Sequence, residues 1–228
     1  MKTIGLIGGM SWESTALYYK IINEEIKARL GGLHSAKILL CSVDFSEIEE
    51  CQSRGEWQKA GEILADCAKR LENAGAEFIA ICTNTMHKVV SQISANLQIP
   101  ILHIASATAE QIKYQGIANT ILLGTKYTMM QDFYKQKLIE SGIEVFIPNE
   151  SEIEMINSVI YNELCLEKIS PSSKEKFLQT IDRLVNLGAK SVILGCTEIG
   201  LLISQDDLQI PVFDTTIIHA KKCAQNAL

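Results

Sequence analysis

The chain has 228 residues, of which 47% are apolar and 21% charged, and its formal net charge is −6 at pH 7. This length suffices for one large or two small domains with a buried core, and the composition is ordinary for a globular protein. Lysine and arginine are scattered along the chain, which argues against nucleic acid or an anionic membrane surface as the partner.

The first apolar run, MKTIGLIGGM, is interrupted by Gly8, Gly9 and the polar SWE that follows, and it has no small-residue cleavage site. A buried strand over 3–8 is therefore predicted in preference to a signal peptide. GLIGGM lacks the G-x-G-x-x-G spacing, and the chain contains no Walker sequence, so a nucleotide-binding loop is disfavoured. No apolar run in the chain approaches the length of a membrane span.

Seven further apolar runs of strand length follow along the chain, at 36–43, 77–82, 99–103, 120–123, 144–147, 191–195 and 211–213. Amphipathic helical patterns lie between them, most clearly at 57–73 and 172–187. Buried strands that alternate with helices are typical of an α/β protein with doubly wound parallel sheets.

The sequence also repeats itself at a nearly constant spacing. AGAEFIAICTNT (74–85) aligns with LGAKSVILGCTE (187–198), IPILHIASATAEQI (99–112) with IPVFDTTIIHAKKC (210–223), and TIGLIG (3–8) with TILLGT (120–125). Although Gly-Ala turns and Ile-Pro strand starts are common in α/β proteins, three blocks in one order favour two pseudo-symmetric domains. We expect a first domain of residues 1–99 plus 210–228 and a second of residues 100–209. Their strand ends should line an active-site cleft between them.

Cysteine use is consistent with a protein that works in the cytoplasm. The seven cysteines are an odd number and contain no C-x-x-C spacing, so neither a disulfide framework nor a zinc site is predicted. Free thiols persist in a reducing compartment. Most of these residues are expected to be small buried side chains, and one can be a reagent.

The repeat aligns Thr83 with Cys196, so these two residues should stand on opposite walls of the cleft. Racemisation at Cα requires one acid–base group on each side of the carbon, and a thiolate is suited to that task. Backbone N–H groups at the start of the following helices can bind the α-carboxylate and the enolate-like charge that develops during the reaction.

The segments IGLIGGMSWEST, CTNTMH and LGCTEIGLL resemble the motifs of the cofactor-independent aspartate/glutamate racemase family over essentially the whole chain. The resemblance implies two α/β domains with the active site between them and two facing catalytic cysteines. It also implies that neither pyridoxal phosphate nor a metal is used. Members are commonly dimers, so a homodimer that binds a small amino-acid substrate is expected.

Within this resemblance, Cys196 matches the second catalytic cysteine and Thr83 occupies the place of the first. Cys82 comes one residue earlier and, by strand alternation, should point into the core. A threonine hydroxyl is too weak an acid to act as an alkoxide at neutral pH, so deprotonation should run mainly from Cys196 and favour one enantiomer. The branch of the family with this threonine is specific for L-aspartate and L-glutamate, which implies the L-enantiomer.

The resemblance also implies substrate contacts at Met10, Gln52, Asn84, Thr85, Thr197 and Glu198. Met10 would act through its backbone N–H unless GGM is an ordinary turn. Gln52 would donate to the side-chain carboxylate unless it lies in a solvated loop. Asn84 and Thr85 are expected both to cap the following helix and to bind substrate. Glu198 would accept from the substrate ammonium or simply favour a helix N-terminus.

Two residues near these positions are weaker candidates. Arg54 is a nearby cation, and His87 can tune Thr83 or a water, although a histidine held in the structure by hydrogen bonds is the simpler interpretation. Aspartate and glutamate cannot be separated from the sequence, because one methylene in a pocket changes binding only slightly.

Two rival functions remain open at this point. A decarboxylase or isomerase of the same fold needs only Cys196, to protonate a carbanion. A binding protein that has lost catalysis needs no reactive cysteine at all. We expect a working racemase to hold one cysteine of lowered pKa that aspartate protects from alkylation, and this distinguishes it from a protein that only binds.

Overall fold

The computed structural model describes all 228 residues, which divide into two compact units. The first unit comprises Met1–Ile104 with Thr216–Leu228, and the second comprises Ala105–Thr215. Each unit contains one four-stranded parallel sheet with helices packed on it. No helix is long and apolar enough to cross a membrane.

The sheet of the first unit has the strand order β2-β1-β3-β4, and every neighbouring pair is parallel. Its strands are β1 (Ile4–Gly8), β2 (Ile38–Ser42), β3 (Phe78–Ile81) and β4 (Ile101–Leu102). Its helices are α1 (Trp12–Leu30), α2 (Phe45–Ser53), α3 (Trp57–Asn73), α4 (Val90–Ser94) and, after the chain returns, α10 (Thr215–Ala227); a 3₁₀ helix spans Thr85–Val89.

Strand alternation divides the core of the first unit between the two faces of this sheet. Ile4 and Leu6 of β1 pack with α1 and α10, whereas Ile7 packs with α2 and α3. Between the strands, α1 begins at a Ser11 cap whose side chain accepts a hydrogen bond from the Ser14 N–H.

The sheet of the second unit has the corresponding order β6-β5-β7-β8 and is again parallel throughout. Its strands are β5 (Asn119–Gly124), β6 (Glu144–Phe146), β7 (Val192–Gly195) and β8 (Val212–Asp214). Its helices are α5 (Ile104–Tyr114), α6 (Lys126–Met130), α7 (Asp132–Glu140), α8 (Glu150–Asn162) and α9 (Pro171–Asn186), with 3₁₀ helices at Leu164–Leu166, Thr197–Leu201 and Gln205–Asp207. The matching strand orders confirm the predicted pair of doubly wound α/β domains.

The divisions between the units fall within α5 and α10, a few residues beyond the expected boundaries at 99 and 209. The reason is strand pairing. Strand β4 hydrogen-bonds to β3 of the first sheet, and β8 hydrogen-bonds to β7 of the second. Each of these strands therefore completes the sheet that precedes it in the chain, and the helix that follows it belongs to the other unit.

A buried histidine links α10 to the sheet of the first unit. His219 Nε2 donates to the Leu102 carbonyl oxygen at 2.9 Å, and its Nδ1 accepts from the Tyr18 hydroxyl at 2.8 Å. The Leu102 carbonyl can only accept, so Nε2 carries a proton, and in the neutral ring Nδ1 is then the acceptor for the Tyr18 hydroxyl. Burial is the main cause that lowers the pKa of His219, from 6.5 to about 4.

The first unit should therefore lose stability on mild acidification. The pKa of His219 is lower in the folded than in the unfolded state, so protons favour unfolding, and the stabilisation present above about pH 6.5 is lost as pH falls towards about 4. The expected loss of unfolding free energy is on the order of 3 kcal/mol. Urea unfolding followed from about pH 7 to about pH 4 measures it.

His219→Gln keeps a donor for the Leu102 carbonyl and should show a smaller acid-dependent loss than the parent protein. His34→Gln, at an exposed histidine, is the control and should leave the loss unchanged. An unfolding free energy of the parent protein that stays constant over this range would contradict the assignment.

Candidate functional site

In the first unit, the predicted site residues gather where β3 ends. Strand β3 stops at Ile81, and a tight turn over 82–84 leads into the 3₁₀ helix Thr85–Val89. The Cys82 side chain is completely buried in the core beneath α1 and α10, and its carbonyl accepts from Ser14 Oγ at 3.1 Å. This confirms that Cys82 packs. Thr83, the next residue, is half-buried.

The backbone of the Thr83 turn is held by a histidine. His87 Nδ1 lies 2.9 Å from the Thr83 carbonyl oxygen, and His87 is buried. The carbonyl can only accept, so the ring donates from Nδ1. Thr83 is therefore a partly accessible side chain on a backbone that the core fixes.

Asn84 does not cap the helix as expected, and the structure corrects that prediction. Its backbone is already in the right-handed helical region (φ −80°, ψ −49°), whereas a capping residue is normally extended, and its side chain makes no capping hydrogen bond. Asn84 is only 2% exposed, and Thr85, also buried, begins the 3₁₀ helix. The Asn84 amide is thus not used for capping.

Met10 lies in the loop after β1, and its side chain is buried in the same apolar core as Ile48 and Met86. Any contact of Met10 with a ligand must therefore come from the backbone. The loop approaches β2 so closely that a Cβ on Gly9, which has a φ of 91°, would lie 2.1 Å from the Val43 carbonyl oxygen. Only glycine fits this position without strain.

Gln52 is not in a solvated loop, so that alternative is wrong. It lies in the last turn of α2, is buried, and its Nε2 is 3.1 Å from Met86 Sδ. The amide therefore packs against the 3₁₀ helix that follows the Thr83 turn. Arg54, in contrast, is exposed and paired with Glu50 at 2.6 Å.

In the second unit, Cys196 directly follows β7 in an extended conformation and precedes the 3₁₀ helix Thr197–Leu201. Cys196 Sγ donates to Glu198 Oε2 at 2.9 Å, and Thr197 Oγ1 donates to the same oxygen at 2.8 Å. Cys196 and Thr197 are half-buried, and Glu198 is only 8% exposed. The three predicted residues thus form one hydrogen-bonded group.

The pKa of the Cys196 thiol is raised well above its usual value, which contradicts the expectation of a cysteine with a lowered pKa. Burial is the largest cause of this rise, followed by the negative charge of Glu198. The neighbouring Cys165 raises the pKa of Cys196 further. In this arrangement Cys196 is a protonated thiol. It becomes a base only when its proton moves to Glu198 or when a bound cation offsets the carboxylate charge.

Lys126 is a candidate that the sequence interpretation missed. Gly124 at the end of β5 is paired with Gly195 at the end of β7, so Lys126 follows its strand at the same sheet edge as Cys196. The Lys126 N–H donates to Asn157 Oδ1 at 2.9 Å, and its side chain is half-buried. The match of Gly8 in TIGLIG to Gly124 in TILLGT was the available signal, because this spacing of 116 residues places Lys126 opposite Met10 in the repeat.

Neither unit gathers an obvious metal site. No group of three or more His, Cys, Asp or Glu side chains is placed to hold a metal ion. All seven cysteines are free thiols.

Comparison with known proteins identifies the family. A family model described as Asp/Glu/Hydantoin racemase matches residues 7–223. The crystal structure of a candidate Asp/Glu racemase from Yersinia pestis is 54% identical and has a TM-score of 0.94, covering 100% of this chain and 99% of that one. An aspartate racemase homologue from Pyrococcus horikoshii is 38% identical with a TM-score of 0.86, again covering 100% and 99%.

Among curated sequences, the broad specificity amino-acid racemase RacX from Bacillus subtilis is 24% identical over 230 residues, which is 99% of this chain and 98% of RacX. The resemblance noted in the three motifs is thereby confirmed. The chain belongs to the Asp/Glu/Hydantoin racemase family and is an amino-acid racemase.

Proposed function

We propose that this racemase acts on aspartate and glutamate, that Cys196 removes the Cα proton, and that Thr83 or a bound water serves the opposite face. The observation that supports this most strongly is the hydrogen bond from Cys196 Sγ to Glu198 Oε2, 2.9 Å long, directly after β7. It makes the protonation state of one thiol depend on the charge of a carboxylate that a substrate ammonium can approach. Thr83 follows β3 at the corresponding point of the repeat but has a much less acidic group.

The proposed reaction begins with activation of the thiol. The substrate ammonium approaches the Glu198 carboxylate and partly offsets the charge that holds Cys196 protonated. With that charge offset, the pKa of the thiol falls and the Cys196 proton leaves to solvent, which gives a thiolate beside the ammonium–carboxylate pair. The thiolate then takes the Cα proton, and the electron pair of that bond is delocalised into the substrate carboxylate.

The developing negative charge on the substrate carboxylate needs hydrogen-bond donors. The backbone N–H of Thr197 would supply one beside Cys196, because the Thr197 hydroxyl already donates to Glu198, and Asn84 and Thr85 would do so beside Thr83. A backbone N–H at Met10 is a further proposed donor. Reprotonation from the Thr83 face gives the opposite enantiomer, and reprotonation from Cys196 returns the starting one.

The asymmetry between a thiol and a hydroxyl would make the two directions unequal. A proton can pass from Thr83 or a water to the carbanion, but neither group readily removes a Cα proton at neutral pH. One enantiomer should therefore be the better substrate. We assign it as the L-enantiomer, as in the threonine-containing branch of the family.

The acidic substrate class is supported by the donors beside the two turns. Lys126 provides a cation at the sheet edge of Cys196, and Gln52 provides a buried amide beside the 3₁₀ helix of Thr83. Either can bind a side-chain carboxylate. The name of RacX favours a second candidate, a racemase that also accepts neutral amino acids.

Three further properties belong to the same proposal. The reaction would need no pyridoxal phosphate or metal, because a thiol on one face and a hydroxyl or water on the other perform the proton transfers. The protein would work in a reducing cytoplasm, where Cys196 stays a free thiol. It would assemble as a homodimer, an expectation that rests on the family resemblance.

Replacing Thr83 with cysteine should make the enzyme treat the two enantiomers more equally, because a thiol supplies a base on the second face. The ratio of kcat/KM for L- and D-aspartate, followed by circular dichroism without added cofactor, should move towards one by about tenfold or more. Thr83→Ser is the matched control, since it keeps a hydroxyl and should keep the preference.

Cys196→Ala, assayed in parallel, should lower turnover of both enantiomers by about 10²–10⁴-fold. Cys41→Ser, at another half-buried thiol, should leave turnover unchanged. A Thr83→Cys variant with the parental preference, or a Cys196→Ala variant with the parental rate, would contradict the assigned roles.

Replacing Lys126 with methionine should weaken acidic substrates selectively. The expected rise in KM for aspartate is on the order of tenfold, equivalent to about 1.4 kcal/mol, with a smaller change for alanine. Lys137→Met, at an exposed lysine of α7, is the control. An equal loss for aspartate and alanine would remove Lys126 from the specificity argument, and alanine turnover comparable to aspartate would favour the broad racemase.

A further inference from the structure

Two backbone groups of the first unit meet on opposite sides of the His87 ring. Nδ1 lies 2.9 Å from the Thr83 carbonyl oxygen, and Nε2 lies 3.2 Å from the Ile104 nitrogen. Thr83 follows β3, whereas Ile104 begins α5 just beyond β4. One side chain therefore connects the turn that carries Thr83 to the end of the neighbouring strand.

These two contacts define a single protonation state and tautomer. The Thr83 carbonyl can only accept, so Nδ1 carries the proton, and the Ile104 N–H can only donate, so Nε2 is the unprotonated acceptor. A protonated ring would place a donor against the Ile104 N–H. The neutral Nδ1–H form is thus the only one that satisfies both neighbours.

The surroundings of His87 also disfavour a charged ring. His103, at the end of β4, lies with its ring centroid 4.5 Å from that of His87, and His219 of α10 lies at 6.0 Å. Burial is the largest cause that lowers the pKa of His87 well below its usual value, and these two histidines add to it. The hydroxyl of Tyr18 in α1 is hydrogen-bonded to His219. His87 is therefore a fixed neutral connector and carries no proton to the substrate.

We propose that His87 is a positioning residue for the Thr83 face of the reaction. The bond from Nδ1 fixes the Thr83 carbonyl and hence the direction of the Thr83 side chain. The bond to Ile104 anchors the ring itself. Small displacements of a reacting group have large effects on rate, so loss of the Nδ1 bond should weaken proton delivery from this face while leaving Cys196 unaffected. This inference rests on the proposed function.

Two substitutions separate the two contacts. The Nδ2 of an asparagine lies near the position of histidine Nδ1, so His87→Asn can still donate to the Thr83 carbonyl. The amide of a glutamine lies near histidine Nε2, so His87→Gln can still accept from Ile104 but loses the Thr83 bond. In D₂O, NMR gives the rate of Cα–H exchange from L-aspartate, and circular dichroism gives the rate of racemisation.

The ratio of racemisation to exchange should fall about tenfold or more in His87→Gln and stay within about twofold of the parent in His87→Asn. This ratio does not depend on the folded fraction, because both rates scale with it. A merely structural role of His87 would lower both rates together and leave the ratio unchanged in both variants. An unchanged ratio in His87→Gln, or an equal fall in both variants, would overturn the proposal.

An independent measurement separates failure of this inference from failure of the proposed function. In ¹⁵N-histidine spectra of the parent protein, His87 should be the neutral Nδ1–H tautomer and should stay so as the pH falls from about 8 to about 6. An Nε2–H tautomer, or protonation of His87 within this range, would overturn the inference whatever the activity. Absence of Cys196-dependent exchange in the parent protein would instead refute the proposed function.

Discussion

The hydrogen bond between the Cys196 thiol and the Glu198 carboxylate is the interaction on which the chemical account depends. A carboxylate that is almost fully buried stabilises the proton on the neighbouring sulfur, so the resting enzyme has an acid at this position and not a base. An amino-acid substrate brings the cation that can offset this charge. Activation of the thiol is thereby linked to binding of the substrate ammonium, and a thiolate need not exist in the empty enzyme.

The fold places this group and its counterpart by the same construction twice. In both units a central parallel strand is followed, after one to three residues, by a five-residue 3₁₀ helix, Thr85–Val89 in the first unit and Thr197–Leu201 in the second. The chemistry at the two ends differs. After β7 a thiol contacts a carboxylate, whereas after β3 a hydroxyl side chain stands on a backbone that a neutral histidine holds.

Much of this architecture could be predicted from the sequence, because strand alternation and internal repetition are local signals. All eight strands were expected near their observed positions, and the alternation that buries Cys82 separated it correctly from Thr83. The strand partners of β4 and β8 were harder to assign, since the sheet that a short strand joins depends on distant residues.

The details of the site depended on contacts that no local pattern encodes. The position of Gln52 against Met86 requires α2 to pack on a segment more than thirty residues away, and the two bonds of His87 depend on where β4 ends. Asn84 was expected to cap because of its residue type, but its helical backbone prevents this. The raised pKa of Cys196 follows from burial beside Glu198, which depends on the packing of the second unit and cannot be read from the motif.

The most direct test of the central claim is the rate at which L- and D-aspartate lose their Cα–H signal in D₂O. Proton NMR would follow each enantiomer with the parent protein and with Cys196→Ala, without added pyridoxal phosphate. The account predicts faster loss from the L-enantiomer, and loss that is about 10²-fold or more slower in the variant. Equal loss from both enantiomers would mean that the Thr83 face has a base as effective as Cys196, which contradicts the account.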